Sequence, residues 1–252
     1  MPDVEGGLKP TIICDFNFGV HCLREVLDRV GFRPSMGGVG LLKSNVCGLY
    51  HPDLLLIHRV VEVLLSSVDR VVIGETRSMI HDPATQFDRL GLKCLEDCFK
   101  DRVKAVDLSE DELVRVSVPR PHAVQWIDLP KTVIEAEVLV NVAKAGTHIT
   151  TGLTCALKNL FGLLPQKEKY RVFHPLGVDK VIADIAQVVQ PSINIAQVEG
   201  KMIVGADPLA VDVLACELMA LNPLRIDHLR LTSRLRGLEL TQFKQDMEVI
   251  EI

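Results

Sequence analysis

Two periodicities alternate along the chain. "TIICDF", "VGLLKSNV", "RVVIGE" and "VKAVDL" are short apolar runs of the kind that make buried parallel strands. Between them, apolar residues recur three and four apart. "VHCLREVLDRVGF" sets Val20, Leu23, Val26, Leu27 and Val30 on one helical face. "HPDLLLIHRVVEVLLSSV" is a long apolar helix with a proline near its first turn. "DPATQFDRLGLKCLEDCFKD" reads as one broken helix or two short ones. Later, "AEVLVNVAKA", "SINIAQVEG" and "KMIVGA" read as strands, and "GVDKVIADIAQVV" and "DPLAVDVLACELMAL" as helices. A helix near Ile226 to Leu235 and an edge strand in "MEVIEI" end the pattern. The expectation is an α/β fold, with a mostly parallel or mixed sheet and helices on both faces, in a single domain spanning 1–252. One region departs from the alternation. Around 110–136, "LVRVSVPRPHAVQWIDLP" alternates and carries Pro119, Pro121 and Pro130, which predicts a small antiparallel excursion.

In such folds ligands sit at the carboxyl ends of strands. Polar residues gather where strands are expected to end: Lys43 and Asn45, Glu75, Lys144 to Thr151, and Asp207. The richest stretch is "KAGTHITTGLTCALKNLFG", from Lys144 to Gly162. The pattern places a strand, a glycine-bearing loop, and a helix starting near Thr150 or Thr151. Leu153, Leu157, Leu160 and Leu164 then make a core stripe, and Thr150, Thr154 and Lys158 an adjacent one. A helix start in such a loop offers backbone N–H groups to an anion. Lys144 would add charge and His148 a proton donor or acceptor. The same residues also suit a capped helix with Lys158 reaching out to water. Neither a Walker A loop nor a dinucleotide fingerprint is present.

"VGADPLAVD" poses a similar choice. Asp207 and Pro208 make a good cap and first turn. Asp212 lies on a helix that is apolar nearly all round, so its carboxylate needs a lysine, a metal or hydrogen bonds. His174, in "VFHPLG", precedes a helix. The remaining histidines, at 21, 51, 58, 81, 122 and 228, lack metal-binding spacing, and none is assigned a role.

Composition narrows the classes. Of 252 residues 48% are hydrophobic and 24% charged, as in globular proteins. Lys and Arg number 28 against 33 Asp and Glu, a net charge of −5, and aromatics are 4%. That argues against a nucleic-acid partner. No apolar run is long enough for a membrane span, and "MPDVEGGLKP" lacks the basic and apolar regions of a leader, so the cytoplasm is expected. The seven cysteines are scattered, which predicts reduced thiols and no iron–sulfur cluster within the chain. Cys94 and Cys98, four apart on one helix, are expected to pack.

"LVNVAKAGTHITTGLTCALKNLFGLLP", His174, "IADIAQVVQPSINI" and "IVGADPLAVDVLACELMAL", in this order, resemble the family called domain of unknown function 362. "LLKSNV" and "VVIGE" are similar to its N-terminal strand motifs. The resemblance covers about residues 38–236. It implies an α/β domain and, because some members carry ferredoxin-like domains, a redox association. Its motif positions fall on Lys43, Asn45, Lys144, Thr147, His148, Lys158, Asn159, His174, Asp207 and Asp212. Two departures stand out. Gly146 replaces a lysine, and "AQVEGK" is short, with Gln197 near the place of an aspartate.

Three readings follow. The first is an enzyme or binding protein for a small anionic or phosphorylated ligand. Lys43, Asn45, Lys144, Thr147, Thr150, Lys158, Asn159, His174 and Asp207 would bind it, and His148 and Asp212 would do the chemistry. The second is a non-catalytic partner, binding an iron–sulfur protein or serving a redox pathway. The third, a metal carrier, would need His148, His174 and an acid in one coordination sphere. The resident cofactor is not named by the sequence. Two geometric expectations are sharp: Lys43, Lys144, His148, Lys158 and Asp207 meet at one sheet edge, and Lys158 faces a buried partner, Asp212 or a bound anion.

Overall fold

The computed structural model describes residues 9–16 and 20–252, with Val20 by its backbone alone. The reading of the first residues as lacking a leader, and the place of the Val20 side chain on its helix, lie outside the described residues.

The chain begins with β1 (Thr11–Asp15), α1 (Val20–Arg29), β2 (Val39–Ser44), α2 (Leu54–Leu64) and β3 (Arg70–Glu75). The broken helix resolves into two, α3 (Pro83–Arg89) and α4 (Lys93–Phe99), followed by β4 (Val103–Asp107). An antiparallel pair, β5 (Leu113–Ser117) and β6 (Trp126–Pro130), forms its own two-stranded sheet, in the region where the prolines placed an excursion. Then come α5 (Lys131–Glu135), β7 (Val138–Lys144), a small hairpin of β8 (Gly146–His148) and β9 (Gly152–Thr154), α6 (Ala156–Phe161), α7 (Lys169–Phe173) and α8 (Val178–Val188). The chain closes with β10 (Ile193–Val198), β11 (Lys201–Gly205), α9 (Pro208–Leu218), α10 (Asp227–Leu235), α11 (Leu240–Asp246) and β12 (Val249–Glu251).

Eight strands form one sheet in the order β12-β1-β11-β10-β7-β2-β3-β4. All neighbouring pairs are parallel except those that involve β11, which runs against β10 and β1. The fold is thus α/β with a mostly parallel, mixed sheet. The β10–β11 turn is a tight hairpin. Glu199 and Gly200 both have positive φ, 44° and 83°, as two-residue hairpins of this hand require. One sheet face packs on α1 to α4, through Leu42, Val140 and Ile195. The other packs on α6 and α8 to α11, through Leu41, Leu139, Ala196 and Ile203. No helix among the described residues is long and apolar enough to cross a membrane.

One packing expectation fails. Cys94 and Cys98 share a helix but are exposed. Leu95 is the residue that α4 buries, and the cysteines lie off that stripe.

Candidate functional site

At the carboxyl end of β2, Lys43 lies fully buried. Adjacent strands carry Asn141 and Asn194 at the same level and on the same face, since Lys43 pairs with Asn141 and Asn141 with Asn194 in register. The Lys43 ammonium meets Glu75 Oε1 at 3.0 Å, Asn159 Oδ1 at 2.7 Å and the Ser44 carbonyl at 3.2 Å, which uses all three of its hydrogens. Asn159 donates to Asn141 Oδ1 at 2.7 Å, and Asn141 donates to Asn194 Oδ1 at 2.7 Å. This polar chain crosses three strands inside the core. Gly162 permits it: a Cβ there would stand 2.7 Å from Lys43 Nζ. Lys43 and Asn159, read from the sequence as ligand-binding, therefore spend their polar atoms on the interior.

The helix after β7 starts later than the pattern suggested. Residues 146–154 form the β8–β9 hairpin, and α6 begins at Ala156. Gly152, at φ 71°, supplies the left-handed turn residue that bends the chain back, and β-branched threonines suit the strands. Thr150 and Thr151 are turn residues and not caps. The α6 start is capped by Asp212, reaching from α9. Its oxygens accept the Ala156 N–H at 2.7 Å and the Leu157 N–H at 3.1 Å. Backbone hydrogen bonds thus answer the buried carboxylate, and Lys158 does not face it. Burial raises the Asp212 pKa to about 6. The same carboxylate occupies the donors on which an anion site at this helix start would rest.

Lys158, one turn into α6, makes no hydrogen bond or ion pair among the described residues, and its nearest aromatic is Phe161, 5.8 Å to the centroid. It is walled in on most sides but keeps part of its surface open. Burial lowers its pKa to about 8, with Asp179 opposing and Lys43 adding to the fall. His148, at the end of β8, faces it. Burial first, then the Lys158 charge and His174, push His148 down to about 4. Its Nδ1 accepts N–H groups from Thr150 at 3.2 Å and Thr151 at 3.3 Å. That fixes a neutral ring with its proton on Nε2. His174 stacks on Tyr170 at 3.9 Å, and its pKa is lowered by burial and by Lys158.

The structure adds groups that the sequence reading passed over. Asp179, at the start of α8, accepts from His228 Nδ1 at 2.7 Å and from the His228 N–H at 3.1 Å. His228 is fully buried, and its Nε2 has no partner. Lys169 is buried beside Thr76, to whose hydroxyl it donates at 2.5 Å. Burial takes its pKa to about 8, against the pull of Glu75. His228 was legible, because His228, Leu229 and Thr232 share one helical face. Lys169 was not, since "QKEKYRVF" looks like a solvated run.

Other expected residues lie around this cluster. Asn45 ties the ends of β2 and β7, accepting the Lys144 N–H at 2.9 Å and donating to its carbonyl at 3.2 Å. The Lys144 ammonium stands 3.6 Å from Asp53. Gln197, in the place of the family's aspartate, holds Asp53 through its backbone N–H and its carboxylate. The exposed Thr147 is 3.4 Å from the Tyr50 hydroxyl. The Tyr50 ring explains Gly146, where a Cβ would come within 2.4 Å of it. Asp207 is elsewhere. It follows β11, the strand that runs the other way, so it lies at the opposite sheet edge. There it accepts the Leu209 N–H at 2.9 Å and holds Arg236 through two bonds of 2.9 and 2.7 Å. The expectation that it joins Lys43 and His148 fails for that topological reason. Among the described residues no three His, Cys, Asp or Glu side chains are grouped to hold a metal ion, so the metal-carrier reading has no donor set around His148 and His174.

Residues 41–198 match the family model described as "Domain of unknown function (DUF362)". The chain belongs to this family. The matched DUF362 span runs from β2 through β10. It holds Lys43, Glu75, His148, Lys158, Lys169, His174 and Asp179, and it stops before α9 and α10, which supply Asp212 and His228. No curated protein matches the chain.

Proposed function

We propose that this DUF362 protein binds a small ligand bearing a phosphate or carboxylate group at the carboxyl edge of its sheet, between the β8–β9 hairpin, α6 and the start of α8. The observation that carries this reading is Lys158. It is largely enclosed, flanked by two imidazoles, and lacks an anionic partner within ion-pair reach among the described residues. Around it, among the described residues, the carboxylates acting on Lys43, Lys158 and Lys169 are Glu75 and Asp179, which leaves an excess of positive charge in a low-dielectric setting. A ligand oxyanion balances that excess. His148 presents Nε2–H to the oxyanion as a fixed, neutral hydrogen-bond donor; a ring whose pKa is about 4 carries no second proton, and so no charge, at neutral pH. Catalysis at this site would rest on donors placed where negative charge develops, with Lys158 as the principal one.

The test is calorimetric titration of the whole chain with orthophosphate, beside thermal unfolding with and without it. Saturable binding is expected at about millimolar Kd, about 4 kcal/mol. Lys158→Met should abolish the response while leaving stability equal or higher, since an uncompensated buried charge is removed. A stabilising response to orthophosphate that survives Lys158→Met would sink the reading.

A second reading, docking of a protein partner such as an iron–sulfur protein, draws on a separate observation. Leu49, Met79, Ile80 and Ile149 are exposed in the loops after β2, β3 and β7, all at this same edge. Ile149→Asp should leave the phosphate response intact and weaken only such docking.

A further inference from the structure

A cavity of about 810 Å³ opens at the opposite edge of the sheet, a size typical of small-molecule sites. Its floor is apolar and built of small side chains. Ala183 and Ala186 from α8 and Ala210 from α9 line it beside Leu157. Packed helices usually fill such positions, so the alanines keep a slot open. Thr232, on α10, lines the slot at 6% exposure, and its hydroxyl has no hydrogen-bond partner. That hydroxyl is sealed from the open space, so the wall Thr232 gives the slot is apolar.

The mouth of the cavity is held rigid. Asp184, fully buried on α8, accepts the N–H groups of His122 at 2.7 Å, Ala123 at 2.7 Å and Val124 at 2.9 Å. One turn on, Gln187 accepts the Arg120 N–H and donates to its carbonyl, both at 3.0 Å. The buried carboxylate and the amide together clamp the 119–124 loop onto α8. They set Arg120 at the rim with a guanidinium that makes no hydrogen bond or ion pair among the described residues. Across the slot, Arg236 is held by Asp207 and lies 5.6 Å over the Phe243 ring.

The geometry points to a second ligand site here, for a small amphipathic carboxylate. Its hydrocarbon body rests on the alanine floor, and its carboxylate pairs with Arg120. This site shares no side chain with the Lys158 cluster, and its occupancy does not depend on that proposal. A straight-chain acid and an aromatic acid share the required chemistry.

The experiment titrates the whole chain with octanoate and with phenylacetate, with octanamide as the uncharged control. One acid is expected to saturate at one site, about tenfold or more tighter than the amide, which is the worth of a charge-assisted pair. Arg120→Gln should remove that advantage. Ala186→Leu, at a partly exposed position that tolerates bulk, should fill the slot and abolish binding. Lys158→Met should leave it unchanged. Absence of saturation by either acid, equal affinity for acid and amide, or binding indifferent to both cavity substitutions would overturn the assignment.

Discussion

The two edges of the sheet handle polarity in opposite ways. At the carboxyl edge, charge is drawn into the core: Lys43, Glu75 and Lys169 are buried and linked through Asn159 and Thr76. At the amino edge, the Arg236–Asp207 pair stays partly in water, and the interior beside it is an apolar slot. A parallel sheet makes this difference natural, because its loops and helix starts concentrate donors and charges at one end. The lesson is that burial decides what a charge is for. A buried lysine is answered atom by atom, as Lys43 is; Lys158, partly open, has no hydrogen-bond or ion-pair partner among the described residues. A surface pair answers mainly to water and salt.

The sharpest way to break this comparison is to neutralise one acid at each edge. Glu75→Gln strands Lys43 in the core and should cost about 3–5 kcal/mol in urea unfolding. Asp207→Asn should cost about 1 kcal/mol or less, from a half-exposed pair that also caps α9. Equal losses would erase the distinction between the edges.

Asp212 lies between them, and its effect depends on pH. Its pKa is raised from 3.8 in the unfolded chain to about 6 in the folded one, so the folded state holds the proton more tightly. Stability from this group is therefore full below pH 3.8 and is lost as pH rises through about 6, by roughly 3 kcal/mol. The difference between the stability profiles of the wild-type chain and Asp212→Asn isolates it. A difference flat from pH 4 to pH 7 would show that backbone donors fully offset the burial.

Gly146→Ala tests how tightly the carboxyl-edge hairpin is held. The added methyl meets the Tyr50 ring and should cost about 1–3 kcal/mol, read as a lower midpoint in urea. The smallest effect is expected at the amino edge. Gln187→Ala should cost about 1 kcal/mol and speed hydrogen exchange at Arg120, because one clamp of the loop is lost while Asp184 remains.

Much of the fold was legible in periodicity. The strands at β2, β3, β4 and β7, the helices α2, α8 and α9, and the antiparallel excursion all follow from apolar spacing and proline placement. The start of α6 was not legible, because "GTHITTGLT" has no apolar period and its helix cap comes from Asp212, over fifty residues away. Of the candidate site, His148 and Lys158 were marked by the residues around the β7–α6 loop and His174 by the family resemblance, and the three lie close enough to influence one another's charge. His228 was passed over for lack of metal-binding spacing although its helical face marked it, and Asp179 and Lys169 were missed, since each looks like an ordinary surface residue of a short amphipathic segment. Asp207 was placed at the wrong edge because sequence does not show that β11 runs antiparallel.

The sequence by itself determined the α/β alternation, the family, the need to answer a carboxylate at Asp212, and the cap at Asp207. These depend on neighbours within a few residues, where spacing and chemistry act directly. Only the tertiary structure decided which groups answer which. It paired Lys43 with Glu75 and Asn159, gave Asp212 to the α6 backbone, left Lys158 without a partner among the described residues, and opened the alanine slot. Those outcomes depend on strand order and direction, and the forces that select strand order act on the whole core at once, through burial, so no short stretch of residues carries them.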